Sequence, residues 1–137
     1  GAGRGQLAHP GSIHVSDIYG ILVVDNRNYR IVQYKDMQDA APTCFGSNGD
    51  GEGQFLQPQF LAVDQKGRIL VTDQITSRLV RVDDMRGTRF IAFGTTGAGV
   101  NQFSEPRGVV VDSRNARIVW IDDLSGAGWT ILQFSRD

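Results

Sequence analysis

The side chains able to do chemistry are few and scattered. The chain carries two histidines, His9 and His14, and one cysteine, Cys44, beside 13 Asp, 2 Glu, 12 Arg and 2 Lys. A lone cysteine permits no internal disulfide, and one Cys with two His lacks the clustered spacing of a structural zinc site. No Ser/His/Asp set and no pair of carboxylates stands out as catalytic, so no catalytic residue is assigned. His14 is the one candidate metal ligand; the competing reading is a hydrogen-bonded or solvated imidazole, with His9 in a loop. Asp83-Asp84 and Asp122-Asp123 could attract Ca²⁺, but a hard cation needs several oxygens at alternating positions. Acid pairs followed by Met85 or Leu124 and by Gly87 or Gly126 read as capped turns. The Gly-x-Gly runs would cradle phosphate only ahead of a helix N-terminus, and no helix follows them. No cofactor is expected.

The composition says what must position these groups. Asp belongs in turns and Arg suits pairing with carboxylates, whereas long helices favour Glu and Lys. With 17 Gly in 137 residues, this points to short strands joined by many turns. The formal net charge of −1 argues against an electrostatic nucleic-acid binder, although Arg27, Arg81, Arg86, Arg89, Arg107 and Arg114 could form a basic face. No apolar run approaches the roughly 18 residues needed to span a bilayer. The opening GAGRGQLAHP has neither an initiator Met nor a signal-peptide apolar region, which reads as a processed or excised chain.

The glycines recur in order. Shifting the sequence by 48 residues aligns Gly1, Gly3, Gly5, Gln6 and Pro10 with Gly49, Gly51, Gly53, Gln54 and Pro58. The match runs on through Ile21/Ile69, Val23/Val71, Asp25/Asp73, Arg30/Arg78 and Met37/Met85 to Gly46/Gly94, giving 16 identities in 48 ungapped positions. Roughly three would arise by chance, and a period of about 20–50 residues marks a solenoid, propeller or array. Each full copy holds four strands: Ser12–Val15, Gly20–Asp25, Arg30–Lys35 and Pro42–Phe45, then Phe60–Asp64, Arg68–Asp73, Arg78–Asp83 and Arg89–Phe93.

A third copy starts in the same register with Gly97, Gly99, Gln102, Phe103 and Pro106, then loses it. The preferred frame aligns residues 117–126 with 78–87, as though the second strand were missing. A competing frame sets Arg117 through Asp122 against Arg68 through Asp73 with one insertion. Either way three strands remain: Gly108–Asp112, Arg117–Asp122 and Trp129–Phe134. The units are therefore 1–48, 49–96 and a shortened 97–137, each an all-β antiparallel meander.

The string GDGEGQFLQPQFLAVDQKGRILVTDQITSRLVRVD resembles the NHL repeat, a β-propeller blade. The likeness rests on the G-x-G-x-x-Q-F-x-x-P approach, the V-D strand, the G-R-I-hydrophobic-V-x-D strand and the Arg-hydrophobic return. Asp25 with Arg30 and Asp73 with Arg78 flank a tight turn, so each pair is expected to exchange a bidentate charge-assisted bond and fix the hairpin or clip neighbouring blades. Asp112 and Arg117 are assigned the same structural role in the third copy. Recurrence in every full blade favours structure over an active site.

The resemblance implies a ring of blades, and rings need about 4–8 of them. Three is half of the six common in NHL-type propellers, so a homodimer completing six blades is expected; the alternative is that a longer polypeptide supplies the rest. The expected role is a non-enzymatic scaffold or protein-interaction module. The alternatives implied by the resemblance are a metal-assisted lyase or hydrolase using His14 at the channel, or RNA binding. Contact aromatics for a protein partner are Trp120, Trp129, Tyr29 and Tyr34, with Tyr19 beside them, since Tyr and Trp dominate binding hot spots. Filling a blade or subunit seam is the competing role for the two tryptophans.

Overall fold

The computed structural model describes residues 1–3, 5–97, 102–112, 118–122 and 129–133; in the last two stretches it gives the backbone, and of the side chains only Ile121. β1 (Pro10–Ser16), β2 (Gly20–Asp25), β3 (Arg30–Tyr34) and β4 (Thr43–Phe45) form an antiparallel meander in chain order. β5 (Ser47–Asn48) and β6 (Gln54–Phe55) pair in parallel and close the Gly-rich linker. The meander then recurs as β7 (Pro58–Val63), β8 (Ile69–Asp73), β9 (Arg78–Val82) and β10 (Ile91–Phe93), and the linker pair as β11 (Thr95–Thr96) and β12 (Gln102–Phe103). β13 (Val109–Val111), β14 (Ile118–Asp122) and β15 (Trp129–Gln133) make a three-stranded sheet. The helical content among the described residues is one 3-10 turn, Asn26–Asn28, and no helix is long and apolar enough to cross a membrane.

The repeat is kept in detail. β1 and β7 each carry a bulge at the same place, between Pro10 and Ile13 and between Pro58 and Leu61. β1 lies beside β7 and β7 beside β13, so the first strands of the three sheets gather on one side, with His14 in the first of them. The sheets pack face to face through two apolar seams. In the first, Leu22, Val24 and Ile31 of blade one meet Phe55, Leu61, Ile69, Val71, Val82 and Met85 of blade two. In the second, Ala62, Leu70 and Leu79 of blade two meet Phe103, Val109 and Ile121 of blade three. Strand alternation sends odd and even residues to opposite seams, which is why the middle strands are apolar throughout.

Two expectations for the third unit need correction. β14 hydrogen-bonds to β13 on one side and β15 on the other, so it is the second strand of its sheet and not the third. Val111 faces Val119 as Val63 faces Ile69, a shift of 48 in one strand and 50 in the next. The connection from β13 to β14 is thus two residues longer than its counterpart, and among the described residues the fourth strand is the one without a counterpart. The identities that favoured the other frame are a consequence of all these strands sharing an Arg-hydrophobic-Asp rhythm. Asp112, in turn, closes the first strand of its sheet, the place of Asp64 and not of Asp25 or Asp73. Arg117 lies outside the described residues.

Candidate functional site

The Asp–Arg pattern organises the Gly-rich approach loop. Asp25 is fully buried and opposite Arg30 across the β2–β3 hairpin. Its carboxylate accepts from the Ala8 N–H (2.7 Å), the Asn28 side-chain amide (2.8 Å) and Arg30 Nε (2.8 Å). The rest of the Arg30 fork donates to the carbonyls of Ala2 (3.2 Å) and Gln6 (2.8 Å). In blade two, Asp73 accepts from the Leu56 (2.8 Å) and Gln57 (3.0 Å) N–H groups, while Arg78 donates to the carbonyls of Asp50 (2.8 Å) and Gln54 (2.7 Å). The partners are again 48 residues apart. The expected bidentate pair is not formed: Arg30 touches one oxygen of Asp25 through one nitrogen, and Arg78 makes no ion pair with Asp73. Both arginines spend their planar ends on loop carbonyls, which need donors once the linker is folded over the sheet.

Other acids are similarly committed. Asp64 binds Arg68 Nε (2.6 Å) inside the second blade, and Asp83 binds Arg89 Nε (2.7 Å). Burial tends to raise the Asp84 carboxyl, but the N–H groups of Arg86 and Thr88 outweigh it and hold it below the ordinary carboxylate range. Asp83-Asp84 thus sits in a capped turn. His14 is half-buried opposite Leu22 in β1, and among the described residues no three His, Cys, Asp or Glu gather where they could hold a metal. Cys44 is exposed.

What stands open is an apolar face. Leu7, Ile13, Ile21, Val23, Tyr34 and Met37 line a groove of about 390 Å³ on blade one, with Asp36 and Asp39 at its edge. These six positions are the 48-residue counterparts of Phe55, Leu61, Ile69, Val71, Val82 and Met85, which blade one covers in the first seam. The difference in coverage falls on two of them: Leu61 is 7% exposed and Met85 6%, whereas Ile13 is 68% exposed and Met37 90%; Val23 is buried and Leu7, Ile21 and Tyr34 are partly buried. Tyr34 lines this groove, and burial, then Asp25, raises its phenol above the ordinary value. Tyr29 lies elsewhere, at the β2–β3 turn in a left-handed conformation with φ 57°. In β14 and β15, Trp120 and Trp129 hold the register places of Leu70 and Leu79. The open face carries no chemical motif, so its only signal in the sequence is the 48-residue alignment with the buried one.

No protein-family model matches the chain, and no curated protein matches it in sequence. Solved structures do. Virginiamycin B lyase from Staphylococcus aureus, in its selenomethionine form, superposes with a TM-score of 0.62 at 15% identity. A catalytically inactive form of that lyase with quinupristin gives 0.63 at 15% identity. Each match covers 97% of this chain and 44% of the other. The shared fold is that of β-propeller blades. At this identity the likeness is one of fold alone, and the chain spans less than half the length of the solved structures it matches.

Proposed function

We propose that this chain is an NHL-type propeller segment that works as a non-enzymatic protein-interaction scaffold, and that its first-blade face is where further blades are added. The observation that carries this reading is the open groove of Leu7, Ile13, Ile21, Val23, Tyr34 and Met37. Its counterpart one repeat later is a completed blade-to-blade seam. The exposed apolar side chains Ile13 and Met37 at the groove's surface fit an interaction face. The charged residues of the repeat give further support, because Asp25, Arg30, Asp73 and Arg78 are occupied in holding the linkers.

The test is dye binding by the protein at its natural length. The wild type is expected to bind little bis-ANS, because the face is covered in the assembled state. Ile13→Asp should uncover it and raise the fluorescence several-fold. A wild type that already binds dye strongly, with no change on substitution, would contradict the proposal.

A further inference from the structure

We infer that the open face of the first blade receives the far face of the third blade of a second copy of this chain, head to tail, so that two copies close one six-bladed ring. This rests on the scaffold reading and names its partner. Both seams within the chain have the same polarity. Leu22, Val24 and Ile31 of one blade enter the face of the next, and Leu70 and Leu79 do the same one blade later. The free face of blade one is of the receiving type. The free face of blade three is of the entering type, because Val109 and Ile121 already occupy the second seam.

The register places a fitting partner there. Val110 is 51% exposed and stands opposite Trp120, beside the Val109–Ile121 pair that faces blade two. Trp120 and Trp129 hold the backbone register places of Leu70 and Leu79, the residues of blade two that enter the second seam. The receiving face differs from that of blade two at Leu7 in place of Phe55 and Tyr34 in place of Val82, and it holds the groove of about 390 Å³. A head-to-tail contact repeated about a two-fold axis closes on itself and leaves no exposed blade face.

The experiment is sedimentation velocity on the purified chain at micromolar concentration, with two variants at exposed sites. The wild type should have twice the 15.0 kDa chain mass. Ile13→Asp, on the receiving face, and Val110→Asp, on the entering face, should each weaken association at least about tenfold and run as monomers. Mixing the two variants should restore part of the dimer, because one of the two seams then pairs unaltered faces. Met37→Asp replaces Ile13→Asp if the latter changes the thermal unfolding transition. A dimer that survives Val110→Asp would overturn the head-to-tail contact. A monomeric wild type would overturn the second copy as occupant. If the protein at its natural length still excludes dye in that case, the scaffold reading stands with a blade of a longer polypeptide in the seam; if it binds dye, both readings fall.

Discussion

At the scale of single residues, the buried carboxylates matter more than the histidines. Asp25 satisfies three donors at a site with no access to water, one of them a guanidinium. Asp25→Ala should therefore cost about 3 kcal/mol in urea unfolding, the lower end for breaking a buried charged pair. Asp73→Ala strands three amide donors, those of Leu56, Gln57 and, at 3.4 Å, Thr76, and no cation, and about 2 kcal/mol is expected. Tyr19 works between blades, donating to the Gly67 carbonyl with the Asp83 carbonyl as a second acceptor at 3.2 Å. Burial first, then Asp84, Asp64 and Asp83, raise its phenol above the ordinary 10.0. Because the folded value lies above the unfolded one, this contribution is intact below pH 10 and fades as the pH climbs through the folded value. Tyr19→Phe should cost about 1 kcal/mol at neutral pH and remove that alkaline loss. The Asp–Arg rhythm is readable in the sequence because it recurs, but its partners are not. They are backbone groups some 16 to 28 residues away, which no spacing rule identifies.

At the scale of elements, the glycines of the linkers are not equivalent. Gly46 has φ +115°, and a Cβ there would lie 2.7 Å from the Tyr29 carbonyl oxygen and 2.9 Å from the Phe55 ring. Phe55 cannot yield, since it packs edge-on against Phe45 at 6.0 Å and against Phe90 at 6.5 Å. Gly46→Ala should cost at least about 2 kcal/mol in thermal or urea unfolding. Gly53 also has positive φ, at +74°, but its Cβ would meet nothing within 4 Å, so Gly53→Ala should cost about 1 kcal/mol from backbone strain alone. The strands of the two full blades are readable in the sequence because β-branched runs end in Asp, Gly or Asn. The place of β14 is not, because Arg117 through Asp122 resembles two different strands of the preceding blade, and only hydrogen bonding to β13 distinguishes them.

At the scale of the whole molecule, the governing fact is that one buried surface recurs in an uncovered copy. Ile13 and Met37, whose counterparts Leu61 and Met85 are buried in the first seam, stand exposed in blade one, and this follows from the repeat once the direction of packing is known. Sequence alone yields the repeat and the shortfall of blades, but not which face is bare, since that depends on which neighbour each sheet leans upon. Met37 and Met85 are matched reporters of this point, and they are the chain's only methionines. Met85 is 6% exposed and Met37 is 90% exposed in the single chain. The decisive measurement is the rate of peroxide oxidation of the two sulfurs in the assembled native protein, followed by mass spectrometry. If the first-blade face is covered, Met37 will be protected to nearly the same degree as Met85; oxidation of Met37 at the rate of a free methionine, with Met85 still protected, would contradict it.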